Sequence, residues 1–292
     1  MKIVLFTIIA LMSFNLSFAQ IKMMLDTEKS EKEKIEGFMS SGYSTITVTR
    51  IDTDEIDWQQ DSSKIMLIEV DKDKNIYTET SYSPQFTRTV IKLGKNVNSR
   101  EIYNDKDQLQ GKTLYYYDAQ DNLVKRELYF GDLKAFDEVY EYENGKLVKM
   151  KYLMSDKSLV SYSSFTFDDS NNLLEEIKYN SSDDIDYKYE YSYDKKSRLS
   201  EEKIIIGKDN ISVVNYSYSN NKLADKITTS KGKLTSSAKF TYEGNKIAEE
   251  FYDTPELKTE KTYTYKDGLL SQIKFLETVG MSSFIWSYEY IK

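Results

Sequence analysis

The chain contains neither histidine nor cysteine. Ser-His-Asp and Cys-His nucleophiles, zinc held by thiolate and imidazole, and His-based proton transfer are therefore excluded. Carboxylates remain, and two clusters stand out: Asp183, Asp184 and Asp186, and Asp52, Asp54, Glu55 and Asp57. Glycoside hydrolysis needs two carboxyl groups facing each other across a scissile bond. Both clusters fall where turns between strands are expected, and they read as solvated turn residues. A glycan-acting hydrolase using carboxylates is kept as the alternative function. Asp71-Lys72-Asp73-Lys74-Asn75 begins like a calcium loop, but Ile76 and Tyr82 occupy the positions that need Gly and Glu, so a hairpin turn is the better reading. No catalytic residue, cofactor or metal ligand is assigned.

The remaining residues with chemistry to offer are aromatic. The chain has 25 Tyr and 13 Phe against 2 Pro. Tyr117, Tyr142, Tyr193, Tyr218, Tyr242, Tyr265 and Tyr290 each end a Tyr/Phe-x-Tyr triplet and form the candidate ligand surface. Such rings, with neighbouring Asn and Asp, could stack on sugar rings or present a broad protein-binding face. The competing role is structural: equivalent rings packing on one another across neighbouring strands.

The elements that position these rings repeat. With Phe167 included, the second aromatic recurs every 23 to 26 residues from Tyr117 to Tyr290. Aromatics two apart lie on one face of a strand, and the Asp, Asn, Gly and Lys that follow supply turn conformations. Asn144-Gly145 and Asp267-Gly268 are strong hairpin signals. A return strand then starts at Leu or Ile, as in Leu147 to Tyr152, and a looser turn such as Met154 to Ser158 leads into the next triplet. Two degenerate copies precede, with turns after Val70 and Leu93. Each unit is one hairpin, marginal alone, so the units must lie side by side. The expected fold is all-β: tandem β-hairpin repeats forming one long curved antiparallel sheet, with a short N-terminal helix. In the unit after Leu173, Leu173, Ile177 and Tyr179 are expected on one face and Leu174, Glu176 and Lys178 on the other, while after Leu199 the pattern drifts toward Ile204 and Ile206.

The ends differ from the middle. Lys2, an apolar run from Ile3 to Met12 and Ser17-Phe18-Ala19 read as a signal peptide over residues 1–19. Residues 20–64 are expected to cap the array: a helix within Ile21 to Met39, a strand from Tyr43 to Ile51, then an acidic stretch before Trp58. Repeats occupy 65–292, with Trp286 covering the far end and the last strand leaving an edge open to β-augmentation. A formal net charge of -8 offers no basic field for nucleic acid. The mature chain is expected to be exported, periplasmic or extracellular, without stable membrane insertion after signal cleavage.

Tyr191-Ser192-Tyr193-Asp194-Lys195-Lys196-Ser197-Arg198-Leu199, and similarly Tyr115 to Leu123, resemble the Rhs or YD repeat, in which Tyr-x-Tyr-Asp is followed by two variable residues, Gly, Arg or Asn, and Leu. The resemblance covers about residues 65 to 292. It implies a curved β-sheet of secreted or surface proteins, often described as carbohydrate-binding or as carriers of toxin domains. Here Ser197, Asp121 and Asn171 replace the Gly and the period is longer, and no toxin core is expected after the repeats. Tyr142 to Leu147 also resembles MORN-type variants. The functional expectation is a non-enzymatic exported repeat protein offering a binding or structural surface, with carbohydrate or an envelope or extracellular protein as the partner.

Overall fold

The computed structural model describes residues 35–38, 40, 42–52, 62–83, 85–207, 210–277 and 282–291. Residues 1–34, with the expected signal peptide and the start of the expected helix, lie outside these, as do Asp54, Glu55, Asp57 and Trp58. A helical turn at 35–38 is what the described residues contain of that helix.

Twenty strands follow. They are β1 (Thr45–Asp52), β2 (Ser62–Asp71), β3 (Ile76–Ser81), β4 (Thr87–Leu93), β5 (Val97–Tyr103), β6 (Leu109–Tyr117), β7 (Leu123–Phe130), β8 (Leu133–Glu143), β9 (Lys146–Met154) and β10 (Leu159–Phe167). The second half comprises β11 (Leu173–Asn180), β12 (Ile185–Tyr193), β13 (Leu199–Ile206), β14 (Asn210–Ser219), β15 (Lys222–Ser230), β16 (Lys233–Glu243), β17 (Lys246–Asp253), β18 (Lys258–Lys266), β19 (Leu269–Glu277) and β20 (Ser282–Ile291). Every strand pairs antiparallel with its sequence neighbours, as the hairpin repeat requires, and the expected turns after Val70 and Leu93 are both present.

The expected open sheet is corrected at its ends. β1 pairs with β20 along its whole length, Thr45 with Ile291 through Asp52 with Phe284, as well as with β2. The sheet therefore closes into a 20-strand antiparallel barrel. Closure satisfies the backbone groups that an open array would leave on two edges, so β1 and β2 are members of the wall instead of a cap, and β20 has no free edge for augmentation. Trp286 packs within the wall, 4.6 Å from the Phe275 ring.

The barrel has two distinct rims. At one, which we call the Tyr rim, the turns after each Tyr-x-Tyr gather with the start of β1 and the end of β20; the looser turns gather at the other, the far rim. Turn chemistry at the Tyr rim explains the motif's Asp. Asp118 Oδ1 accepts from the N–H of Gln120 and Asn122, and Asp194 Oδ1 from the N–H of Lys196 and Arg198. The side-chain bonds from Arg198 and the backbone bonds hold the Asp194 carboxyl down at about 2. Asp121, Asn171 and Ser197, which stand where the resembled repeat has Gly, all take left-handed φ of 57 to 65°. Ser197→Gly is thus expected to raise stability by ~0.5–1 kcal/mol in urea unfolding, because only Gly adopts that conformation without Cβ strain.

Tyr-rim hairpins also carry a bulge beside the second aromatic, as at Thr166/Phe167, Ser192/Tyr193 and Ser217/Tyr218. An extra residue there shifts the side-chain alternation of the paired strands relative to each other. Leu173 pairs with Phe167 and Glu176 with Phe165, so Leu173 shares a face with Glu176 and Lys178, not with Ile177 and Tyr179 as a strict alternation suggests. The drift after Leu199 has the same origin and puts Leu199, Glu202, Ile204 and Ile206 on one face.

Candidate functional site: the interior wall

One face of the sheet is far more buried than the other, and burial identifies it as the barrel interior. Tyr140, Leu147, Phe165, Leu173 and Tyr191 lie on it with Ile68, Tyr77 and Ile91, forming one cluster with Ile35 of the helical turn, which is 0% exposed. The middle residues of the triplets, including Thr166, Ser192, Ser217 and Thr241, point the other way and are exposed. The core is therefore inside the barrel near the Tyr rim.

All seven candidate Tyr residues lie on this inner face, half-buried. The structure brings them to one end of the barrel and gives each position in the triplet a task. The second ring leans onto the preceding hairpin: the Tyr142 hydroxyl donates to the Leu123 carbonyl at 3.0 Å, Tyr218 to Leu199 at 2.9 Å and Tyr290 to Leu270 at 3.0 Å. A basic residue from the preceding turn then covers the ring: Lys146 over Phe167, Arg198 over Tyr218, Lys222 over Tyr242 and Lys246 over Tyr265, at 4.3 to 5.6 Å from the centroid. Lys146 and Lys246 also donate to the turn carbonyls of Asp168 and Gly268 in the next unit. The repeat thus encodes a staple between consecutive hairpins, each cation–π contact worth about 0.5–1 kcal/mol at such partly exposed sites.

The first ring of the triplet reaches toward the barrel middle, where the inner wall becomes ionic. The Tyr140 hydroxyl donates to Glu138 at 2.7 Å, Tyr216 to Glu202 at 3.0 Å and Tyr263 to Glu250 at 2.9 Å. Arg126 Nε donates to Glu138 at 2.6 Å, and Lys261 to Glu250 at 3.0 Å. Glu176 is 0% exposed; its Oε1 accepts from Ser163 at 3.3 Å and its Oε2 has no hydrogen-bond partner. Burial pushes the Glu176 carboxyl up to about 9, and burial also raises Glu202. Sequence reasoning missed these interior carboxylates. Their signal is a recurring Glu-Glu pair three residues into the return strand, Glu175-Glu176, Glu201-Glu202 and Glu249-Glu250, whose second member faces in.

The outer face carries a charged belt at mid-height. Lys125, Glu127, Lys134 and Asp137 form its densest part. Glu127 accepts from Lys125 at 2.5 Å and Lys134 at 2.7 Å, and Asp137 is bound by Lys134 at 2.8 Å and by Lys157. Burial would raise the Asp137 carboxyl, but the bonds from Lys134 and Lys157 outweigh it and hold it low. Asp137→Ala is expected to cost about 3 kcal/mol in chemical unfolding, because it leaves lysines crowded without their shared counter-ion. Farther round stand Lys188 with Glu175 and Glu190, and Lys203 with Glu190. A lipid-facing barrel wall is the reverse, an apolar band outside and polar groups inside.

Among the described residues, the sequence-flagged carboxylates are not drawn together into a site. Asp183 and Asp184 sit in the turn between β11 and β12, Asp183 accepting from the Tyr162 hydroxyl at 2.9 Å, and Asp71 caps its own turn through the Lys74 N–H. A cavity of about 220 Å³ opens on the inner wall beneath the helical turn, lined by Gly37, Phe38, Tyr43, Ile46, Ile68, Tyr77, Leu269 and Tyr290. Among the described residues no cluster of three or more metal-ligating side chains occurs, and no helix is long and apolar enough to cross a membrane.

A family model described as an uncharacterised protein matches residues 161–289. No curated protein matches the chain. Among solved structures, the chain is similar to a porin-like protein from Bacteroides uniformis ATCC 8492, with 13% identity, 85% of this chain and 96% of the other covered, and a TM-score of 0.37. A porin-like protein from Bacteroides vulgatus ATCC 8482 shows 12% identity, with 85% and 98% covered and a TM-score of 0.25.

Proposed function

We propose that this chain is a non-enzymatic exported protein of the cell envelope whose barrel stands in water and binds a small apolar group in its interior at the Tyr rim. The observation that carries the reading is the cavity of about 220 Å³ beneath the helical turn, walled by Phe38, Ile46, Ile68 and the rings of Tyr77 and Tyr290. Cavities of about 150 Å³ lined by aliphatic and aromatic side chains stay dry and take up benzene-sized ligands. The charged outer belt supports a barrel that stays out of the bilayer, since a Lys facing lipid at the midplane costs about 2–4 kcal/mol. Sugar stacking on the Tyr ladder is less favoured, because Lys or Arg already covers several of the ring faces.

The experiment is titration of the exported chain with N-phenyl-1-naphthylamine, a neutral apolar fluorophore, beside a glycan-array screen. Saturable fluorescence enhancement, abolished by Ile68→Glu in a barrel whose circular dichroism is unchanged, is the expected result. No enhancement together with specific glycan binding would overturn the reading in favour of the Tyr ladder.

A further inference from the structure

Among the described glycines, seven hold a left-handed φ, Gly42 at 85° for one, and so have a conformational reason to be Gly. Gly94 and Gly111 have neighbours close to where a Cβ would stand, Asn98 Nδ2 at 2.6 Å and the Tyr129 carbonyl oxygen at 3.6 Å. Gly37 has neither reason. Its φ lies outside the left-handed region, and beyond its own turn no described atom comes within 4 Å of its Cβ position. It stands inside the helical turn, its carbonyl accepting from Ser40 Oγ at 3.0 Å, where Gly is a poorer helix former than any residue but Pro.

What the position has instead is the cavity. Ile35 and Phe38, three residues apart on one side of the turn, pack into the core. Gly37, one residue round from Phe38, lines the cavity with it and is nevertheless exposed. A residue that lines a cavity while facing solvent stands at its mouth.

The cavity wall decides what passes that mouth. Phe38, Ile46, Ile68 and Leu269 offer hydrocarbon, and the hydroxyls of Tyr77 and Tyr290 are taken by Glu79 and by the Leu270 carbonyl. A polar ligand atom drawn inside would give up its water for almost no hydrogen bonding, so the group admitted is hydrocarbon. At about 220 Å³ the space exceeds the roughly 150 Å³ that takes up benzene, which leaves room for more than a single ring.

We infer that Gly37 is the specificity-determining residue of the apolar site. The side chain it lacks leaves the mouth wide enough for a hydrocarbon group larger than one ring, and a larger residue there restricts the site to benzene-sized guests. The inference rests on the interior site proposed above and adds to it the size of what enters.

Titration of wild type, Gly37→Ala and Gly37→Leu tests it, with N-phenyl-1-naphthylamine as the large probe and benzene as the small one. Affinity for N-phenyl-1-naphthylamine, read by fluorescence, is expected to fall severalfold in Gly37→Ala and at least tenfold in Gly37→Leu. Saturation with benzene is expected to raise the melting temperature of all three proteins alike. Without probe, both variants should melt at or above the wild-type temperature, because Ala and Leu are the better helix formers, so lost binding is not lost folding. Wild-type binding of the large probe that Gly37→Leu leaves unchanged would overturn the inference alone. So would a wild type that takes up benzene but not the larger probe, or variants that melt lower and lose both probes equally, which would make Gly37 a structural residue. A wild type that takes up neither probe would sink the interior site and the inference with it.

Discussion

Deleting Ser282 to Lys292 is expected to leave the protein insoluble, or soluble only as aggregates. β20 is bonded on both sides, to β19 from Gln272 to Glu277 and to β1 from Thr45 to Asp52. Its loss removes two ladders, uncovers Phe275 and Val48, which are 8% and 1% exposed in the intact wall, and creates two long unpaired edges at once. In an open array of hairpins the same deletion would shed one terminal unit and leave the rest standing, since each repeat there contacts only its neighbours. Solubility, size-exclusion profile and far-ultraviolet circular dichroism of the truncated chain separate the two outcomes.

Glu176→Gln is expected to stabilise the protein above neutral pH, an unusual result for removal of a charged residue type. Burial lifts the folded-state carboxyl to about 9, far above the ordinary glutamate value of 4.5 in the unfolded chain. Between those values the folded state keeps a proton that the unfolded state has released, so the contribution of Glu176 to stability falls as pH rises from 4.5 toward 9. At pH 7.5 this opposes folding by about 2–4 kcal/mol, and the isosteric amide removes it while still accepting from Ser163. The variant should melt several degrees higher than wild type at pH 8 and together with it near pH 4.5, and the subtraction cancels titrating groups that do not interact with Glu176, while Lys178 and Glu202, which do, respond to the loss of its charge. A variant that melts lower at pH 8 would mean that Glu176 is ionised and paired in the fold.

The local half of this architecture was legible and the global half was not. Triplet spacing placed the hairpins because Tyr-x-Tyr strands and Asp-, Asn- and Gly-bearing turns are local signals, and even the degenerate copies marked true turns, β4 ending at Leu93 and β2 one residue past Val70. Closure depends on Thr45–Asp52 meeting Ser282–Ile291 across the whole length of the chain, and the Thr45–Asp52 segment carries no aromatic triplet, so nothing in its residues names its second partner. The inner face was misread beyond each turn because a single bulge at Thr166/Phe167 shifts the parity that Leu173, Ile177 and Tyr179 seemed to share. For the same reason Glu176 was expected with Leu174 and Lys178 on the face opposite Leu173, whereas it shares the inner face with Leu173. The Tyr residues, in contrast, were correctly found as the organising feature, and their hydroxyl bonds to Leu carbonyls and their basic covers show them holding consecutive hairpins together.

The claim on which everything else rests is that β1 meets β20, and the chain's lack of cysteine permits a direct measurement. Thr47 and Glu289 are direct cross-strand partners on the outer face of the seam, within reach of a disulfide, since paired antiparallel positions hold their Cα atoms about 4.5–5.5 Å apart and a disulfide spans Cα separations of about 4.4–6.8 Å. In the Thr47→Cys/Glu289→Cys variant, mild oxidation is expected to give near-complete intramolecular cross-linking, seen as a faster-migrating band on a non-reducing gel, while Thr47→Cys/Thr241→Cys gives none. Absence of the seam cross-link in a folded, soluble variant would contradict the closed barrel and return the protein to an open curved sheet.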